Sequence, residues 1–438
     1  MLKSIFGTTG IKLLGVVINL IIISISTSNL GATNYGIITL FIFGISLFHL
    51  SCEALAGSST LYYASRLSIW EIFFPAWSWI LLIALVSFPF LHLLSLFPSI
   101  YSATIQIGTE YLIVITGIFL ALSGINTNYL IGIKKIKAVN LIFLAQILSN
   151  LAFLCIFIYI LDIKDYAAGI YSASLSYVVS FILSAIVILP RLLSEKIKQP
   201  FSKFKVLLSY GYKTQIGSYI LFGNKKITIP LIKSFIGDGP LGVYNAGIKI
   251  TEGFRIISQS VALVQFSEIA NSNDSEYSKN ITLSLIKGTT IITLLGILVL
   301  VCIPMEFFSY FLGKDFSEVK PIIYCLSPGV ILFGANIIFS HYFSGTNRPI
   351  MNSVSNFIGL ISTIIFCYLL LPSFGLIGAG IATSFGYIVS AIFQLIIFIK
   401  ISKAKIHELI ITKKDYVLFR GYIKDFLKQY KKKSTTAK

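Results

Sequence analysis

Runs of about twenty apolar residues recur along the chain, and Lys225, Lys226, Lys249, Glu252 and Arg255 sit deep inside two of them. A run of that length crosses a hydrocarbon core of about 30 Å as a helix. Each of these charges facing lipid would cost about 2.5–3.5 kcal/mol, roughly 15 kcal/mol in all. A helix bundle avoids that cost only by turning them toward a wet interior. The chain is therefore expected to enclose a positive, water-filled cavity at membrane depth, suited to an anionic cargo.

Composition agrees, with 56% hydrophobic and only 12% charged residues in 438. The apolar runs predict helices near 8–28, 37–61, 72–97, 102–125, 139–161, 167–190, 207–232, 241–267, 281–304, 318–343, 350–371 and 375–399. The net charge of +18 is concentrated in alternate connections: Lys3, Arg66, Lys134 to Lys137, Arg191 to Lys205, Arg348 and the carboxy-terminal tail. Both termini are therefore expected on the cytoplasmic side. One connection departs from the trend, where Glu268, Asp274 and Glu276 outweigh Lys279, but acidic residues carry little weight in orientation. The first apolar run is too long for a signal peptide and no small-residue cleavage site stands out, so no removable leader is expected. Cys52, Cys155, Cys302, Cys325 and Cys367 are scattered through apolar stretches, which predicts buried thiols and neither a disulfide framework nor a metal site.

The two halves are alike. Leu30-Gly31-Ala32-Thr33-Asn34-Tyr35-Gly36 follows the first run and Ile236-Gly237-Asp238-Gly239-Pro240-Leu241-Gly242 the seventh, each with two glycines five residues apart. Ala167 to Ala173 likewise matches Gly378 to Ser384 at the start of the sixth and twelfth runs. Six helices per half is an even number, so the halves run parallel about a pseudo-two-fold axis along the membrane normal. The expected fold is an all-α polytopic membrane protein of about twelve transmembrane helices in two such lobes. Residues 1–190 form the first, 191–206 a cytoplasmic linker, 207–400 the second, and 401–438 a basic tail. From Lys413 the tail alternates apolar residues with Arg420, Lys424, Lys428 and Lys431, the pattern of an amphipathic helix on an anionic leaflet.

Asn29-Leu30-Gly31 through Gly36, Leu207 through Gly211, Gly242-Val243-Tyr244-Asn245-Ala246, Gly345-Thr346-Asn347-Arg348-Pro349 and Gly375 through Thr383 together carry a resemblance. Over residues 1–400 the chain resembles polysaccharide flippases of the multidrug/oligosaccharidyl-lipid/polysaccharide exporter superfamily, of the O-antigen type. Tyr212-Lys213 stands where that family often has a proline, leaving the start of the seventh helix open to another geometry.

At 100° per residue, Asn245, Lys249, Glu252, Arg255 and Gln259 fall within about 120° on one face of the eighth helix. That stripe either lines a cavity or locks helices together through Glu252. Lys225 and Lys226 point about 100° apart, so one is expected to face the cavity and the other a neighbouring helix; snorkelling to the surface is the alternative. Pro230, one turn later, is positioned to bend the helix. Glu53, the deepest acid of the first half, lies close to His49 and either pairs with a second-half cation or exchanges a proton. Tyr62, Tyr63, Tyr210, Tyr212, Tyr219 and Tyr244 are candidates for stacking on sugars, though interfacial belts use the same residue.

The resemblance implies alternating-access transport, not catalysis, of a polyprenyl-diphosphate-linked oligosaccharide across a bacterial inner membrane. Lys225, Lys226, Lys249 and Arg255 would meet the phosphates, with Glu53, Glu252, Asn245 and Gln259 as further polar or coupling groups. It implies a monomer embedded in membrane lipid, with no bound cofactor and no nucleic-acid partner. Proton or sodium coupling, and association with a polysaccharide polymerase or glycosyltransferases, are open expectations. A multidrug exporter would favour acidic cavity residues, and a polymerase or ligase a long outer loop with reactive side chains; the connection near 305–317 is short and lacks both histidine and arginine.

Overall fold

The structure, a computed structural model, describes residues 2–197, 199–272 and 274–410, with side chains from Gly10 onward within them. The first half holds α1 (Leu2–Ala56), α2 (Ser58–Tyr63), α3 (Ile69–Ser95), α4 (Pro98–Thr104), α5 (Glu110–Gly132), α6 (Ile136–Cys155) and α7 (Tyr166–Ser194). The second holds α8 (Phe204–Lys226), α9 (Thr228–Ile236), α10 (Asp238–Glu252), α11 (Arg255–Ala270), α12 (Ser275–Cys302), α13 (Met305–Leu312), α14 (Val319–Gly345) and α15 (Ile350–Ser402). No strand occurs among the described residues.

Eight helical segments are long and apolar enough to cross a membrane. Two of them are double length: α1 turns at Gly31 (φ 79°) and α15 at Gly375 (φ 53°), conformations that glycine adopts without Cβ strain. The pairs α8–α9 and α10–α11, too polar to stand out by hydropathy, supply two further crossings, which makes twelve. This is a multi-pass membrane protein. Leu85, Val86, Phe90, Leu295 and Val299 are among many exposed apolar side chains, as a lipid-facing surface requires.

Two crossings are broken where the charges lie. The seventh is interrupted at Ile227, since Pro230 has no amide to bond the Lys226 carbonyl. The eighth is interrupted at Gly253–Phe254, between α10 and α11. By contrast α8 runs unbroken through Tyr212-Lys213. The fourth crossing is Glu110–Gly132, displaced from the expected 102–125. Gly108 (φ 85°) separates it from the short α4, so the segment 106–109 lies outside the span. The call of an amphipathic tail from Lys413 lies outside the described residues.

One apolar cluster holds the first lobe together around Phe73, Ala121 and Tyr129. Another crosses between the lobes, joining Tyr35, Leu40 and Phe43 of α1 to Leu241, Tyr244 and Ile322. The lobes thus meet along the second half of α1, and the site lies beside that contact.

Candidate functional site

The lobes touch along two seams, one near each membrane surface. The ends carrying Leu2, Arg66, Lys134 and Arg348 form the basic face, and the turns at Gly31, Gly237 and Gly375 the opposite face. At the opposite face the two related glycine motifs interlock. A Cβ on Gly36 would overlap the carbonyl oxygen of Asp238, and one on Gly242 that of Ala32. Ala32 N–H also donates to Asp315 Oδ2 (3.3 Å). At the basic face a Cβ on Gly211 would overlap the Ala54 carbonyl. Here side chains join in: Gln215 Nε2 donates to the Leu50 carbonyl, Ser58 and Thr214 hydroxyls meet at 2.6 Å, and Tyr219 Oη donates to Ser51 Oγ (3.0 Å).

Between the seams, and between the lobes, lies a cavity of about 310 Å³. The second lobe contributes Lys226, Asn245, Lys249 and Glu252; the first contributes Asn19, Ser26, Thr39, Ser46, Asn150 and Ser172. Asn245 Nδ2 donates to Thr39 Oγ1 across the lobe boundary at 2.7 Å. Lys226 and Lys249 make no ion pair within hydrogen-bonding reach among the described residues, and Lys249 is exposed. Two cations stand against one carboxylate, and the wall opposite is neutral, its amides and hydroxyls interleaved with apolar side chains such as Leu20, Ile38, Ile42 and Phe43. Such a surface offers donors and positive potential to an anion.

The polar stripe expected on the eighth helix divides between two cavities. Asn245, Lys249 and Glu252 on α10 face the inter-lobe cavity. Arg255 and Gln259 on α11 line a separate cavity of about 310 Å³ inside the second lobe, together with Lys225. The expectation that Lys225, Lys226, Lys249 and Arg255 converge on one phosphate site is therefore corrected. Arg255 and Gln259 lie toward one edge of the 120° arc and open on the second cavity, while Ile256, on the Lys249 side of the arc, still lines the first. The two adjacent lysines serve different cavities, as their angular separation requires. Arg255 joins the two sides: its guanidinium pairs with Glu252 and lies over the Phe333 ring (4.4 Å).

Glu53 occupies a third cavity, of about 300 Å³, within the first lobe among Ser123, Thr127, Asn128, Gln146 and Tyr177. Its near ionic neighbour is His49, with Nδ1 3.7 Å from Oε1, so the expected pairing with a second-half cation does not occur. The tyrosines are largely committed to packing. Tyr62 stacks on Tyr210 (4.8 Å), Arg66 covers Tyr62 (3.7 Å), and Tyr244 is buried against Thr383. The first-half lining was missed by sequence reasoning. Asn19 and Asn150 offered a signal, as lone amides within long apolar runs; Ser46 and Ser172 offered none, since small hydroxyls pack anywhere in membrane helices.

The family described as "Polysaccharide biosynthesis protein" matches residues 254–429. An uncharacterized membrane protein of Methanocaldococcus jannaschii, MJ1068, is 27% identical over 284 residues, 61% of this chain and 55% of that protein. Haloferax volcanii Agl15, described as a probable low-salt glycan biosynthesis flippase, is 20% identical over 204 residues, 46% of this chain and 43% of that protein. The chain thus spans about half the length of the curated relatives it matches. Among solved structures, lipid II flippase MurJ in an inward closed conformation superposes with a TM-score of 0.72 at 16% identity, covering 96% of this chain and 93% of that one. An inward-facing multidrug-resistance MATE transporter gives 0.70 at 17% identity, covering 89% and 94%. The fold is the one shared by MurJ and the MATE transporter. The resemblance to polysaccharide flippases, read from the glycine motifs, is borne out.

Proposed function

We propose that this protein is a flippase for a lipid-linked oligosaccharide, with the sugar-phosphate headgroup passing through the inter-lobe cavity. The observation that carries this reading is the pair of cations, Lys226 and Lys249, set opposite a neutral wall from the other lobe that mixes amides and hydroxyls with apolar side chains. Phosphate oxygens meet the lysines, sugar hydroxyls meet Asn19, Asn150 and Ser172, and the polyprenyl tail stays in lipid. Glu252 tempers the positive potential, so that the headgroup is drawn in and still released. Rocking of the lobes about the two seams exposes the cavity to one face and then the other. The resemblance supports an O-antigen or related surface repeat on a polyprenyl diphosphate in a bacterial inner membrane, with both termini cytoplasmic. The archaeal relative Agl15, described as a probable glycan biosynthesis flippase, supports a glycan cargo in the broader sense. We read it as a transporter with no catalytic residue, working without a bound cofactor. A cationic drug, the cargo suggested by the MATE likeness, would meet two lysines here, which disfavours that reading.

At about 310 Å³ the cavity lies at the lower end of the range for ligand pockets, enough for the phosphates and the first sugars. In proteoliposomes carrying a short-chain polyprenyl-diphosphate disaccharide, Lys226→Gln with Lys249→Gln should slow translocation by about tenfold or more while leaving insertion and folding intact. Unchanged translocation in that double variant would remove the headgroup site from the inter-lobe cavity.

A further inference from the structure

We propose that the cavity inside the second lobe is a separate binding site for a small oxyanion, a phosphate or a carboxylate. This goes beyond the cargo reading and does not depend on it, because the inter-lobe cavity lies on the other side of the Arg255–Glu252 pair. Lys225 and Arg255 line the cavity, and no carboxylate is among its lining residues. Lys225 makes no hydrogen bond or ion pair among the described residues. Arg255 is 9% exposed and Asn336 3%; Arg255 Nε and Asn336 Nδ2 are both buried without an acceptor.

The remaining polar groups are biased the same way. Ser340 Oγ accepts from Gln394 Nε2 (3.0 Å) and Ser344 Oγ from Asn352 Nδ2 (3.0 Å), which leaves both hydroxyl hydrogens to donate. Meanwhile two of the amide acceptors are engaged, Asn356 Oδ1 by Asn224 Nδ2 (3.2 Å) and Asn352 Oδ1 by Gln394 Nε2 (3.5 Å), which leaves Gln259, Asn336 and His341 as the other lining side chains able to accept. The cavity therefore presents two cations and several uncommitted donors, with few free acceptors. A neutral sugar hydroxyl needs both a donor and an acceptor. An oxyanion needs donors alone, and its charge offsets Lys225, a cation costly to hold without an ion-pair partner at this depth.

The test uses the whole protein in zwitterionic lipid nanodiscs, titrated with inorganic phosphate in an isethionate buffer of fixed ionic strength, with unfolding temperature as the readout. Wild type should show a saturable rise. Lys225→Gln and Asn336→Leu should each weaken the response by about tenfold, the loss of one charge-assisted hydrogen bond. Lys314→Gln, at an exposed position lining neither cavity, should leave it unchanged. Glucuronate that displaces phosphate where glucose does not would identify a sugar carboxylate as a source; phosphate binding alone would identify a free inorganic anion. Either result supports the site. An unsaturable response in wild type overturns it. So does a response lost in Lys249→Gln but kept in Lys225→Gln, which would move the anion to the inter-lobe cavity and leave the cargo reading standing.

Discussion

At the opposite face the lobes meet glycine to backbone; at the basic face one such contact is surrounded by side chains. Gly36 and Gly242 seat the Asp238 and Ala32 carbonyls reciprocally, flanked by Asp315, by the Ser24 hydroxyl donating to the Phe311 carbonyl and by the Tyr35–Phe316 ring contact. Gly211 seats Ala54 alone, and the Tyr62–Tyr210 stack, Ser58–Thr214, Gln215–Leu50 and Tyr219–Ser51 share the load. Backbone seating is all or none, since a separation of one ångström forfeits much of the dispersion attraction. Side-chain contacts break one at a time. In a transporter that rocks between two states, the first kind of seam makes a latch and the second a graded hinge.

The sharpest way to break the comparison is to add Cβ atoms to the latch. Gly36→Ala with Gly242→Ala places two methyl groups against backbone carbonyls that have no room to yield. Overpacking of this sort costs about 1–3 kcal/mol per site, a roughly 5- to 140-fold shift toward the separated state for each. In a cysteine-free background, Ser46→Cys in the inter-lobe cavity should then react faster with an impermeant thiol reagent applied from the opposite face. An unaltered labelling rate would show that the interlocked glycines do not hold the lobes shut.

Gly211→Ala is the counterpart at the other surface, and its effect has the opposite direction. The new methyl group meets the Ala54 carbonyl, and the same Ser46→Cys reporter should label faster from the basic face. The surrounding side-chain contacts resist the separation, so the expected change is smaller, on the order of tenfold. Faster labelling from the opposite face instead would mean that this contact closes, and does not open, the basic-face entrance.

How far such residues were readable beforehand depends on whether their signal was local. The glycine motifs needed only repetition to be noticed, and the turns at Gly31 and Gly237 both carry positive φ, as residues without a Cβ permit. Deep lysines announced a wet interior because lipid excludes them. What the residues did not disclose was how many interiors there are. Periodicity places Arg255 and Gln259 on the same broad face as Asn245 and Lys249, and that face borders two cavities. An arc of about 120° is wide enough to serve both, and nothing in the spacing marks where one ends. Glu53 turned inward to His49 for a similar reason: depth in a span fixes that a charge must be satisfied, and says nothing of which lobe satisfies it.

The smallest expected effect tests whether the hinge yields contact by contact. Tyr219 Oη donates to Ser51 Oγ, and Tyr219→Phe removes that hydrogen bond while keeping the ring. One such bond contributes about 0.5–1.5 kcal/mol, roughly a two- to twelvefold change in basic-face labelling. Ser51→Ala should give a similar change, and the two together little more than either alone, because both delete the same interaction. Simple additivity would mean that each residue acts through another partner. The basic-face seam would then owe its strength to Gly211 seating Ala54, and the distinction between latch and hinge would collapse into two latches of unequal size.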